Sequence, residues 1–132
     1  MQYRVIIAGG REFQDYELVK QKCDYYLQNK LKSDTVIIVS GHATGADTLG
    51  ERYARERGLE CELHPADWDK HGKAAGPIRN AQMANAAQAL IAFWDGHSRG
   101  TRNMIDTAKA KGLKVAIVKY NIEFKNIKQW KK

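Results

Sequence analysis

Hydrophobic and polar positions along this chain fall into blocks of two kinds. Short apolar runs rich in β-branched residues occupy residues 3–8 (YRVIIA), 35–40 (TVIIVS), 89–94 (ALIAFW) and 114–119 (KVAIVK). Continuous apolar runs of this length read as strands buried on both faces of a sheet. Residues 60–64 read as a further, shorter strand. The segments between them place apolar residues at helical spacing. Residues 16–29 carry Leu18, Cys23, Tyr26 and Leu27 on one face behind a capping Asp15, and residues 45–57 carry Leu49, Tyr53 and Ala54 and stop at Gly58. Residues 77–88 start at a proline, which a first helical turn tolerates. A last helix runs from Thr101, in cap position, to Gly112. Residues 65–76 read as a loop. Strands alternating with helices predict an α/β three-layer sandwich, a mainly parallel five-stranded sheet with helices on both faces.

In such a sheet, ligands bind beyond the carboxyl ends of the strands, where the strand order reverses. With strand order 3-2-1-4-5, the loops after the first, second and fourth strands become neighbours. These are glycine-rich: Gly9-Gly10-Arg11, Gly41 to Gly45, and Gly96 to Gly100. The second carries the most chemistry. A buried strand ends at Ser40-Gly41, a loop of small residues follows, and a helix opens near Gly45 with Thr44 and Asp47 in a capping-box spacing. Free backbone N–H groups and a helix dipole at one spot suit a phosphate. A plain strand-to-helix turn is the alternative.

Composition narrows the class. The 132 residues suffice for one domain with a core of its own. Cys23 and Cys61 lack CxxC spacing and suit a reducing compartment. No apolar run reaches membrane-spanning length, and Met1 leads directly into a strand without a leader pattern. The expectation is a cytoplasmic protein with no membrane partner. The net charge is +7, of which residues 121–132 hold +3, four lysines against one glutamate. Residues 1–120 are expected to form the domain and 121–132 a basic tail. The four histidines share no metal-ligand spacing, so no metal is expected.

The loops also carry a resemblance. Gly9-Gly10-Arg11, Ser40-Gly41-His42-Ala43-Thr44-Gly45-Ala46-Asp47, Gly76-Pro77-Ile78-Arg79-Asn80, and Phe93-Trp94-Asp95-Gly96 through Gly100-Thr101 together resemble the SLOG superfamily, most of all its small, single-domain YpsA-related branch. The resemblance spans residues 3–120. It implies a Rossmann-like fold and a pocket for a nucleotide or nucleotide-derived phosphorylated ligand, in a sensor or accessory protein. No cofactor beyond such a ligand is implied. LOG-type hydrolases of the superfamily carry a PGGxGTxxE motif; here Gly100-Thr101 match its GT, and its glutamate position falls on Met104. A nucleotide-processing hydrolase or transferase acting at the ribose N-glycosidic or phosphate bond is an alternative that lacks this glutamate, with Asp95, Glu12 and Asp47 as acid/base candidates. Single-stranded nucleic-acid binding of the DprA type is a third. Homo-oligomerisation is left open.

Each candidate ligand-binding residue has a competing structural role. Arg11 forks onto phosphate or pairs with Glu12 or Asp15. Asp47 accepts a ribose hydroxyl or merely caps its helix. Lys73 lies in a small-residue run that could close over a ligand, or is solvated. Arg79 and Asn80 rest on the motif match. Asp95 is a functional carboxylate or half of an Asp-Gly turn. Ser98 and Thr101 offer hydroxyls, Thr101 also as an N-cap. His42 and His97 lie in neighbouring loops, and Trp68 could stack on a base. The outer face of the second helix, with Glu51, Arg52, Arg55, Glu56 and Arg57, reads as solvated.

Overall fold

A computed structural model describes residues 1–120. Five strands form one parallel sheet: β1 (Gln2–Gly9), β2 (Thr35–Ser40), β3 (Glu60–Leu63), β4 (Ala89–Trp94) and β5 (Lys114–Lys119), in the order β3-β2-β1-β4-β5. The β1 register pairs Val5 with Ile38 on one side and Gly9 with Phe93 on the other. The central strands are buried on both faces, which is why their sequences run apolar without alternation.

Two helical layers enclose the sheet. Helices α1 (Tyr16–Ser33) and α2 (Ala46–Arg57) cover one face, where Val19, Cys23, Leu27, Tyr53 and Ala54 pack on Val5, Ile7, Val36, Ile38 and Ile91. After a one-turn helix α3 (Trp68–His71) and a 3-10 turn (Gly72–Ala74), helices α4 (Ala75–Ala86) and α5 (Arg99–Ala110) cover the other. There Met83, Ala84, Met104, Ile105 and Ala108 pack on Ile6, Ala8, Val39, Leu90 and Ala92. The chain winds outward from β1 to β3, then crosses back to β4 on the far side of β1. The order thus reverses between β1 and β4.

Several boundaries differ from the sequence reading. Residues 65–76 are largely wound into α3, the 3-10 turn and the start of α4, with the Asp67 side chain capping α3 through the Lys70 N–H. Lys73 stands exposed in that turn, not in an open loop. Pro77 is the third residue of α4, where its missing N–H is still among the unpaired first four. Helix α5 starts behind Ser98, so Thr101 is a buried first-turn residue and not the cap. The basic tail expected over residues 121–132 lies outside the described residues. Among the described residues, no helix is long and apolar enough to cross a membrane.

Candidate functional site

The loop after β1 is fixed by backbone and rings together. Gly10 donates its N–H to the Phe93 carbonyl at 3.1 Å, and Phe13 donates to the Gly10 carbonyl at 3.3 Å. The Phe13 ring stacks on Phe93 at 5.1 Å and tilts against Tyr120 at 4.6 Å. Arg11 and Glu12 project from this braced turn and are exposed.

The loop after β4 is organised by Asp95. Its Oδ1 accepts the N–H groups of His97 and Ser98, each at 2.8 Å. Burial pushes the carboxyl upward, but these two donors and His97 win and hold it below the usual carboxylate range. This is an Asx turn that aims the chain into α5. Ser98 then begins the helix without lending its hydroxyl to an amide; its Oγ instead meets Thr101 Oγ1 at 3.3 Å. The amides of Arg99, Gly100 and Thr101 are left without intrahelical acceptors.

These two loops face each other across the switch point and enclose a cleft of about 660 Å³. The opening turn of α4 and Trp68 form its remaining wall. Asn80 bridges α4 and α5, donating Nδ2 to Asn103 Oδ1 at 2.9 Å. Of the residues singled out in the sequence, Gly9, Gly10, Arg11, Glu12, Ala43, Asp47, Arg79, Asn80, Asp95, Ser98, Gly100 and Thr101 line this cleft. Asn103 and Tyr120 also line it and escaped the sequence reading. Asn103 stands three residues after Gly100 on α5, a helical spacing that could have revealed it. The Tyr120 hydroxyl is buried without a partner among the described residues, and burial, with Asp95 and Glu12 nearby, pushes its pKa up to about 12.

Ser40, Gly41, Gly45, Lys73 and Gly96 do not line the cleft. Ser40 is fully buried and donates its hydroxyl to Glu51 Oε2 at 2.7 Å. Gly45 has φ +84°, and a Cβ there would overlap the Gly10 carbonyl and the Arg11 backbone. Ala46 donates its N–H to the same Gly10 carbonyl at 3.1 Å. The start of α2 is therefore filled by the protein's own β1 loop, and the Gly45 turn cannot serve as an open anion cradle. The expected capping box is not formed: Gly45 is the N-cap, and no side chain caps α2. Asp47 turns inward instead, and its Oδ2 accepts the Ala43 N–H at 3.2 Å.

Asp47 and Arg79 flank Gly41 behind the β2 loop. A Cβ at Gly41 would fall against Arg79 Nη1 and within 2.9 Å of Asp47 Oδ2, so only glycine leaves room for both. Arg79 donates Nη1 to the Gly41 carbonyl and Nε to Asn80 Oδ1 at 3.0 Å. Burial raises the Asp47 pKa to about 6, against the opposing pull of the Ala43 N–H and Arg79. Burial lowers the Arg79 pKa, Asp47 offsets this, and Arg11 adds to it.

A smaller recess of about 300 Å³ adjoins the cleft. Arg11, Ala43, Trp68 and Arg79 line both spaces, and Gly41, His42, Thr44, Pro65 and Ala66 line the recess alone. Among the described residues no group of three or more His, Cys, Asp or Glu could hold a metal ion.

The family model for the YspA, cpYpsA-related SLOG family (YAcAr) matches residues 3–71. The Gene 61 protein of Mycobacterium phage D29 is 37% identical over 118 residues, covering 85% of this chain and 93% of that protein. The chain belongs to the YAcAr family. No solved structure matches it. For a member of this SLOG family, a Rossmann-like sheet with its cleft at the β1/β4 switch point is the arrangement the loop motifs imply. The position of the LOG-type glutamate is occupied by Met104, buried on the α5 wall of the cleft, while Asp106 is exposed on another face of that helix.

Proposed function

We propose that this chain binds a nucleotide or a nucleotide-derived phosphorylated ligand in the β1/β4 cleft, as a sensor or accessory protein. One observation carries the reading: the unpaired amides of Arg99, Gly100 and Thr101 open α5 onto the cleft, with no side chain capping them. Such a terminus accepts a phosphate through backbone N–H groups and the helix dipole. Arg11, Arg79 and Arg99 add guanidinium groups around the same space. Trp68, half exposed at the rim, offers a ring for a base. Family membership supports the nucleotide class. The test is mass spectrometry of small molecules that copurify with the chain, followed by calorimetric titration with the compound found and with nucleoside monophosphates. Recovery of a phosphorylated nucleoside compound that binds stoichiometrically is expected. Binding only to compounds that lack a phosphate overturns the reading.

A second reading, cleavage or transfer at the ribose, is favoured by Asp47. It is a buried carboxyl that lines the cleft and titrates near pH 6, the range useful to a general acid or base. Incubation with NAD, ADP-ribose or nucleoside monophosphates, followed by chromatography, separates the two readings. The enzyme yields product, and Asp47→Asn abolishes it.

A further inference from the structure

The recess beside the cleft contains a cluster, built on the loop after β2 and on Glu51 of α2, that the cleft does not explain. Ser40, His42 and Glu51 form a closed ring of hydrogen bonds. The His42 N–H donates to Ser40 Oγ at 3.0 Å, Ser40 donates to Glu51 Oε2 at 2.7 Å, and His42 Nδ1 lies 2.9 Å from the same carboxylate oxygen. A carboxylate only accepts, so the imidazole keeps a proton on Nδ1 toward Glu51, and it is in the imidazolium form that Nε2 also carries an N–H to offer an anion. The Glu51 side chain is 13% exposed and His42 49% exposed. The helix face expected to be solvated thus turns Glu51 inward to hold a histidine at the surface.

The backbone of His42 is as unusual as its side chain. Its φ of +59° is the one positive value outside glycine among the described residues. Left-handed conformations at non-glycine residues cost about 1–3 kcal/mol and persist where surrounding structure enforces them. Here the ring through Ser40 does so, and the imidazole joins the lining of the recess.

The guanidinium groups of Arg11 and Arg79 line the recess with the His42 imidazole and the Thr44 hydroxyl, and among the described residues no carboxylate lines it. The larger cleft differs, since Glu12, Asp47 and Asp95 line it with its three arginines. Arg79 spends one donor on the Gly41 carbonyl and one on Asn80, which leaves other N–H groups of its fork unused by side chains around it. Arg11 is exposed without a hydrogen-bond partner among the described residues.

We propose that this recess is a second anion subsite, for a phosphate-type group, in which Glu51-held His42 acts with Arg79 and Arg11. The proposal rests on the reading that the adjoining cleft takes a phosphorylated nucleotide-type ligand. A ligand that fills both spaces then carries anionic groups on both sides of Trp68. Glu51 is a positioning residue, since it acts through the imidazole.

The experiment is an NMR titration of the full, isotopically labelled chain with inorganic phosphate. Two sets of backbone amides report separately: residues 42–44 for the recess and residues 99–101 for the α5 terminus. Both sets are expected to shift, with independent midpoints. His42→Asn keeps a residue that tolerates the left-handed backbone, and it should weaken phosphate at the recess about tenfold or more, as expected for loss of a charge-assisted hydrogen bond. The α5 midpoint should stay unchanged. Glu51→Met keeps the length of the side chain but removes both acceptor oxygens, and the nitrogen shifts of His42 should lose the fixed Nδ1–H signature. Shifts confined to residues 99–101 overturn the subsite and leave the cleft reading standing. Shifts in neither set overturn both. Recess binding that survives His42→Asn, or an unaltered His42 tautomer in Glu51→Met, overturns the assigned roles.

Discussion

Arg79 reaches from the first turns of α4 to donate Nη1 to the carbonyl oxygen of Gly41, 2.5 Å away and 38 residues earlier in the chain. This bond fastens a helix on one face of the sheet to the end of β2. It also holds a guanidinium near the buried Asp47. Arg79→Met should leave that carbonyl unpaired and cost about 1–3 kcal/mol. Because Arg79 favours the charged form of Asp47, the variant should raise the Asp47 pKa above its value of about 6. Carbon NMR of the Asp47 carboxyl across pH checks this, and a lowered pKa would contradict the influence of Arg79 on Asp47.

Asp47 also sets a pH dependence of stability. Its folded pKa, about 6, is raised above the unfolded value, chiefly by burial. The neutral form is the one the fold favours. The contribution is fully present below about pH 4, the unfolded value, and is lost as pH rises through 6. The two-unit difference corresponds to an upper limit on the order of 3 kcal/mol. Denaturant midpoints of the parent chain should therefore fall between pH 4 and 6.5 relative to Asp47→Asn. Parallel curves for the two proteins would show that Asp47 does not titrate in this window.

Gly45→Val is expected to unfold the protein before it reports on any ligand. The φ of +84° suits glycine, and the added atoms would collide with the Gly10 carbonyl and the Arg11 backbone. Strain and overlap together should cost about 3 kcal/mol or more. Gly58 provides the comparison: its φ is +67°, but a Cβ there meets nothing within 4 Å. Gly58→Ala should cost only about 1 kcal/mol. Thermal melts of the two variants test the contrast.

Trp68 is 51% exposed and lines both the cleft and the recess. Trp68→Ala should lower the melting temperature only modestly, because about half of the residue is already exposed. Stacking of a base on an aromatic side chain is worth about 1–3 kcal/mol, so the Kd for the copurified nucleotide should rise about tenfold or more. Calorimetry gives the affinity. An unchanged Kd would place the base elsewhere.

The sheet was legible because buried parallel strands leave unbroken apolar runs, and TVIIVS and ALIAFW admit little else. The edge position of the glycine-rich loops followed from strand order. Less of the site could be read. Gly45 looks like a ligand glycine in sequence, yet the object that approaches it is the chain's own backbone at Gly10 and Arg11, too far away along the chain for any local pattern to show. Residues 65–76 looked like a loop because one turn of helix and a 3-10 turn carry no apolar period. Thr101 and Ser98 are both good caps, and the Asx turn at Asp95 decides between them. Glu51 was masked by charged neighbours on α2, although its spacing four residues after Asp47 puts both on the face turned toward β2.

The wedge of Phe13 between Phe93 and Tyr120 bears on how fast a ligand comes and goes. Three packed rings and the turn closed by Gly10 fix the loop that presents Arg11 and Glu12, so no segment there must fold before a ligand arrives. A preorganised rim of this kind removes the ordering cost from association. Stopped-flow traces should then show a single phase whose rate grows linearly with ligand concentration, and affinity differences among ligands should be expressed as residence time.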